Sequence, residues 1–188
     1  MAKWWQPTGK NEEIKPVPWF GQPAIDYLAS IVTPDMTVIE HGSGGSTLWL
    51  ADRVKKVTSY EYDQDWYDYV RGSAVKLDKK NIDVRLWTSC VLPPVKPDSC
   101  DILVIDGEPV YNRRLWIAAA HWIVRAGGYV VLDNANRPEY EIERASMAKD
   151  FEDCTIFNCN EVGTKHLVTE FYRKAKVNAP RRSKPKQK

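Results

Sequence analysis

Cysteine and histidine are sparse and badly spaced for metal. Cys90, Cys100, Cys154 and Cys159 form no C-x-x-C pair, and the 188 residues hold only three His. Structural zinc needs four such ligands in close pairs, so that class is excluded. No apolar run approaches the ~20 residues that cross a bilayer. The N-terminus has Lys3 followed by Trp, Gln and Pro where a secretory signal would have an apolar core. The expectation is a cytoplasmic protein with reduced thiols and no membrane partner. Phosphate loops ending in G-K-S or G-K-T are absent. Acids are missing from the C-terminus: residues 173–188 carry eight Lys or Arg and no Asp or Glu. The remainder is therefore mildly acidic, which argues against a broad nucleic-acid-binding face on the domain itself.

What is present fits one domain. The hydrophobic fraction is 43%, and eight Trp and nine Tyr supply rings for a core or a pocket. Residues 1–18 read as irregular, because Pro7, Gly9, Pro16 and Pro18 interrupt any periodicity. Trp4 and Trp5 are expected to pack back on the domain. Residues 19–174 form the domain, and residues 175–188 a basic, disordered tail.

The chain is organised around T-V-I-E-H-G-S-G-G-S-T-L-W, residues 37–49. This reads as a strand, a tight turn and a helix start. The glycines allow positive φ and close backbone approach to a ligand. Ser46 and Thr47 are candidate caps, and the first helical N–H groups are free for a ligand.

Periodicity predicts helices over Pro23–Val32, Gly45–Arg53, a segment after Asp63 carrying Trp66, Val70, Ala74 and Leu77, Asn112–Arg125 and Glu139–Phe151. Gly127 and Gly128 are expected to end the fourth. Strands are predicted over Met36–Glu40, Lys56–Tyr62, Ile82–Trp87, Asp101–Asp106, Tyr129–Asp133, Thr155–Asn158 and His166–Tyr172. The alternation implies an α/β fold, with a mostly parallel seven-stranded sheet, helices on both faces and one antiparallel edge strand. The run D-I-L-V-I-D suits a strand buried on both faces.

Ligands in such sheets bind at the carboxyl ends of the strands. Those ends collect Glu40, Glu61, Asp106 and the pair Asp133-Asn134. A carboxylate at the end of the second strand suits a ribose diol. A dinucleotide fingerprint would need a third glycine at position 47, where this chain has Thr47.

The order E-x-G-x-G, a strand ending in Glu, D-I-L-V-I-D-G and G-G-Y-V-V-L-D-N resembles class I S-adenosylmethionine-dependent methyltransferases. The resemblance covers about residues 19–173. It implies a Rossmann-like methyltransferase fold with Glu40, Gly42 and Gly44 at the methionine part of the cofactor, and Ser43 and Ser46 as further cofactor contacts in the same turn. Glu61 would hold the ribose, Tyr62 and the Trp87–Ser89 region would border the adenine, and Asp106 would contact the cofactor. Many members carry an acid just after the third strand to bind the adenine amino group; here the stretch is Trp87-Thr88-Ser89-Cys90.

Asp106, Asp133 and Asn134 also match in type the Mg²⁺ ligands of catechol-type O-methyltransferases. That similarity implies a metal-assisted reaction on a small-molecule hydroxyl. Pro109 stands where those enzymes carry a Lys. Asp106 and His41 are the candidate catalytic residues, with His41 in the turn and His121 mid-helix as the alternative bases. Arg113 and Arg114 read equally well as holders of an anionic acceptor and as solvated helix charges. Two other functions stay open: a nucleic-acid methyltransferase using the basic tail, and a cofactor-binding protein without turnover.

Overall fold

The computed structural model describes residues 13–159 and 167–176. Expectations for Trp4, Trp5, His166 and residues 177–188 fall outside them. The elements are α1 (Gln22–Ile31), β1 (Thr37–His41), α2 (Gly45–Ala51), β2 (Lys56–Glu61), α3 (Gln64–Lys76), β3 (Ile82–Leu86), β4 (Cys100–Ile105), α4 (Val110–Ile123), β5 (Val124–Leu132), a 3₁₀ turn (Pro138–Tyr140), α5 (Glu141–Met147), β6 (Asp153–Cys159) and β7 (Leu167–Arg173). The strands make one sheet in the order β3-β2-β1-β4-β5-β7-β6. Pairing is parallel from β3 through β5. The reversed strand is β7, which pairs antiparallel with β5 and with the outermost strand β6.

Strand alternation explains the two cores. On one face, Ile39, Leu103, Ile105, Val130 and Leu132 meet Trp116, Ile117, Ala120 and Ile123 of α4. On the other, Val38, Val57, Ile102, Val104 and Val131 meet α1 and α2 through Ala24, Leu28, Trp49 and Leu50. Both faces of β4 are covered, as its unbroken apolar run predicts. The segment before α1 packs back on the domain: Ile14 joins Leu48, Trp66 and Val70 in a third cluster.

Two differences from expectation have a clear physical cause. Helix α4 stops at Ile123, where the Val124 N–H still bonds Ala120 O while its ψ of 131° is already extended. Gly127 and Gly128 therefore lie inside β5 and do not end the helix. They serve a local irregularity, because the β4–β5 register shifts between Cys100 and Ile102. Gly127 has φ +80°, and a Cβ on Gly128 would come within 2.4 Å of the Asp101 carbonyl oxygen. The continuous helix expected over Glu139–Phe151 is instead the 3₁₀ turn and a short α5. Tyr140 interrupts it, with φ −129° and its hydroxyl bonded to the carbonyls of Asp133 and Asn134.

These contacts separate two glycines that look alike in the sequence. Nothing lies within 4 Å of a Cβ at Gly72, which is in α3. Gly72→Ala is expected to stabilise by about 0.5–1 kcal/mol. Gly128→Ala is expected to destabilise by about 1–3 kcal/mol. Urea denaturation of both variants checks the opposite signs.

Candidate active site

The turn after β1 lies against the loop after β4, backbone on backbone. The His41 carbonyl accepts from the N–H groups of Asp106 (3.1 Å) and Gly107 (2.6 Å). A Cβ on Gly42 would be 2.6 Å from Gly107 Cα, and one on Gly107 would be 2.7 Å from Gly42 N. Gly42 also has φ +97°. Both glycines are therefore sterically required for the two strand ends to meet. At the start of α2, Thr47 Oγ1 accepts from the Gly44 N–H at 2.9 Å. Gly44 has no side chain with which to cap, so the next N–H groups have no side-chain partner.

Alternation along β1 and β2 sends neighbouring residues to opposite faces. Glu40 turns towards α2. It is 1% exposed and accepts from Ser59 Oγ at 2.7 Å. Burial raises its carboxyl pKa, while hydrogen bonds from Thr47, Ser59 and Ser46 oppose the rise. Glu40 and Ser46 thus brace the turn from beneath, and Glu40 has little surface left for a ligand. Glu61 stands on the same face at the end of β2. Its Oε1 accepts from the backbone N–H groups of Tyr62 (2.9 Å) and Asp63 (3.0 Å), and its Oε2 from Ser43 Oγ (2.8 Å). Burial raises its pKa, with these bonds opposing. The Ser43 carbonyl accepts from Trp66 Nε1 at 2.7 Å, which fixes the tip of the turn.

His41 differs from its sequence reading. It is the last residue of β1 and not part of the turn, so its side chain points to the α4 face. Its ring lies 5.5 Å from that of Trp116. Burial, and then the charge of Arg113, push its pKa down to about 3. An imidazole that stays neutral throughout the physiological range is a poor proton acceptor, so His41 does not suit the role of base. It lines a cleft on this face with Tyr60, Tyr62, Trp87, Ser89, Val91, Asn112, Leu115 and Trp116. The cleft is narrow, with room for about one water molecule, and is partly open to solvent. Two of the adenine candidates, Tyr62 and Ser89, are therefore brought together at its rim.

Asp106 and Asp133 meet at the carboxyl ends of β4 and β5 around Arg113, which is 1% exposed. Arg113 Nε donates to Gly107 O (2.8 Å) and Nη1 to Asp133 O (2.8 Å). Nη2 donates to both the carbonyl and the carboxylate Oδ1 of Asp106, the latter at 3.2 Å. Burial first, then the charge of Asp133, push the Asp106 pKa well up, against the pull of Arg113. Burial also raises the Asp133 pKa, while Thr169 and the charge of Arg113 oppose that rise.

The oxygens expected to hold Mg²⁺ are committed to proton donors. Asp133 Oδ1 accepts from Thr169 Oγ1 (2.8 Å), and Asp133 Oδ2 from Asn134 Nδ2 (2.6 Å). Asn134 Oδ1 accepts from Arg137 Nη2 (2.6 Å), and Asp106 Oδ1 pairs with Arg113. Among the described residues, no group of three or more His, Cys, Asp or Glu is arranged for a metal. Asp106, Asp133 and Asn134 therefore do not fit a divalent ion, and a guanidinium already supplies positive charge between the two acids. Arg114, by contrast, is a surface residue whose Nε donates to Glu143 at 2.7 Å.

No protein-family model matches the sequence, and no curated protein does. Solved structures match in shape. A tRNA (m1A58) methyltransferase TrmI from Aquifex aeolicus aligns at TM-score 0.63 and 15% identity, over 81% of this chain and 68% of its own. Atu636 from Agrobacterium tumefaciens, named a predicted O-methyltransferase, aligns at 0.60 and 20%, over 78% of each chain. M. jannaschii TYW2 in complex with AdoMet aligns at 0.61 and 18%, over 84% and 78%. The chain thus has the Rossmann-like methyltransferase fold.

Sequence reasoning placed Glu61, Gly42 and Asp106 at the site but missed the pivotal part of Arg113. Its signal was weak: Arg113 sits between buried Asn112 and exposed Arg114, and only the depth of α4 separates the two arginines. Arg113→Lys keeps the charge but cannot reproduce a fork of bonds to two loops. It is expected to cost about 3–5 kcal/mol, read as a lower urea midpoint with an unchanged slope.

Proposed function

We propose that the chain is an S-adenosylmethionine-dependent methyltransferase that methylates a hydroxyl of a small molecule without a metal ion. The observation that carries this reading is the seating of Glu61. A carboxylate held by two backbone N–H groups stands at the end of β2, beside a glycine turn whose side-chain-free backbone leaves room for a ligand. That arrangement suits a ribose diol. Three of about four carboxylate lone-pair sites are already taken, so the Ser43 hydroxyl is the partner that gives way to the sugar.

The cofactor supplies an electrophilic methyl group on a sulfonium. The protein aligns the acceptor, excludes water and takes up a proton. Asp106 is the group placed for the last task. It lies beside the glycine turn and keeps 30% of its side chain exposed, while Asp133 beneath it is buried. Its raised pKa makes its conjugate base stronger than an ordinary carboxylate. The Arg113 guanidinium holds it in one orientation. The names of the fold neighbours include RNA, O-methyl and carbon acceptors, so the acceptor class rests on this chain's residues. After β4 comes Asp106-Gly107-Glu108-Pro109, with no Asn- or Asp-Pro-Pro-aromatic sequence for a base amino group.

Three outcomes are expected. In a thermal-shift panel, S-adenosylhomocysteine raises the melting temperature by several degrees, while NAD and added Mg²⁺ do not. A shift with NAD alone would overturn the cofactor assignment. Glu61→Ala weakens S-adenosylhomocysteine binding at least tenfold; unchanged affinity removes Glu61 from the site. Asp106 must be deprotonated to act as a base, and its pKa is raised. Methyl transfer should therefore fall as pH drops through that raised value. Asp106→Asn should abolish this limb and slow transfer by roughly 10²–10⁴, while stability at neutral pH stays equal or rises because two acids no longer share one recess.

A further inference from the structure

The sheet ends in β3 on one side and in β6 on the other. In a parallel ladder, alternate residues turn both backbone groups towards the neighbouring strand. The Val57 N–H donates to Asn81 O, and the Trp87 N–H donates to Glu61 O. Asn81, Asp83, Arg85 and Trp87 therefore face β2. Ile82, Val84 and Leu86 turn their N–H and C=O groups outward, along an edge that no other described strand covers. Such an edge is a template for a further strand, and proteins commonly blunt it with charged side chains, Lys above all.

Strand β3 carries one charge of each sign. Its sequence I-D-V-R-L is symmetric in kind about Val84. Laid antiparallel against a second β3 about a two-fold axis at Val84, it sets Val84 opposite its own mate and Ile82 opposite Leu86. These are the residues whose backbone groups face outward, so the new ladder forms at these pairs. Asp83 then falls opposite Arg85 in the intervening pairs, where Cα atoms are about 4.5 Å apart and side chains come closest. Both charges lie on one face of the sheet and are already oriented. Arg85 Nε and Nη2 donate to Asp83 Oδ2 at 3.0 and 2.6 Å, and Nη1 donates to Tyr60 OH at 3.1 Å. The other edge lacks this symmetry: β6 carries a single charge, Asp153, and no base to oppose it.

A groove of about 410 Å³ lies beside the same edge, lined by Tyr67, Arg71, Val75, Lys79, Ile82 and Val84. Val75 is 75% exposed there. A two-fold axis normal to the sheet sets the α3 helices of both copies on one face, one on each side of the seam. Each α3 then faces the groove of the other copy, and covering its apolar wall favours association.

We infer that β3 is an interface for a second copy of this chain: two β3 strands pair antiparallel about Val84 and join two sheets into one, with Asp83 of each copy opposite Arg85 of the other. The contact is the same patch on both copies, so assembly closes at a dimer.

The test is sedimentation velocity of the full chain over a range of concentrations. The wild type should reach a dimer. Asp83→Arg puts Arg opposite Arg at both charged pairs, and Arg85→Asp puts Asp opposite Asp. Each alone should weaken the dimer at least about tenfold. Mixed in equal amounts, the two variants should dimerise again, because every charged pair across the seam is then Arg opposite Asp. Neither variant keeps the ion pair within its own strand, so recovery reports pairing between copies. A wild type that stays monomeric at every concentration overturns the inference. So does a dimer that both variants keep, or a mixture that stays monomeric. Should a variant fail to fold, hydrogen exchange of the wild type decides. Amide protection at Ile82, Val84 and Leu86 should rise with concentration, and protection independent of concentration overturns the inference.

Discussion

A buried guanidinium holds the strand ends together. Arg113 reaches from α4 to the carbonyls of Asp106, Gly107 and Asp133, so it ties the loop after β4 to the end of β5. A buried cation is tolerated only when its donors are satisfied and its charge is countered. Both conditions set the rest of the site. The carbonyls fix the path of the Asp106–Gly107 turn. The need for negative charge gathers Asp106 and Asp133 in one recess, where burial raises both pKa values and the charge of Asp133 raises that of Asp106 further. Tyr140 bonds the carbonyls of Asp133 and Asn134, and this explains why the chain makes a 3₁₀ turn before α5.

The second constraint is the pleat of the sheet. In β1 it sends Glu40 to α2 and His41 to α4. In β2 it sends Ser59 and Glu61 to one face and Tyr60 to the other. Two environments result from residues adjacent in sequence. The α2 face is a hydrogen-bonded network of acids and hydroxyls under the glycine turn. The α4 face is an aromatic cleft with unpaired atoms on His41 and Asn112. The close approach of Gly42 and Gly107 brings the ends of β1 and β4 together beside both surfaces.

Positive charge sits between Asp106 and Asp133, and the protein supplies it. The residue types alone suited a divalent ion, since Asp, Asp and Asn at these strand ends are oxygen donors. Once folded, both carboxylate oxygens of Asp133, the amide oxygen of Asn134 and Oδ1 of Asp106 answer proton donors instead: Thr169, Asn134, Arg137 and Arg113. Thr169 belongs to β7 and Arg113 to α4, both remote in sequence from the acids they engage.

The strand-turn-helix of residues 37–49, the two-faced burial of β4 and the four acids at strand ends were legible in the sequence, because each depends on local periodicity or on a glycine that must be there. From these the sheet, its mostly parallel sense and the place of Glu61 followed directly. Partnership was not legible. Arg113 and Arg114 are neighbours of identical type, and only packing buries one and exposes the other. His41 looked like a turn residue, but hydrogen bonds from β4 extend β1 by one residue and so assign its side chain to the opposite face. Gly127 and Gly128 looked like a helix stop, and the bulge against Cys100–Ile102 made them part of a strand. The sequence by itself determined which residues could carry chemistry at the strand ends. The tertiary structure decided which of their oxygens and nitrogens are already spoken for, because hydrogen-bond partners are chosen by distance in space and not along the chain.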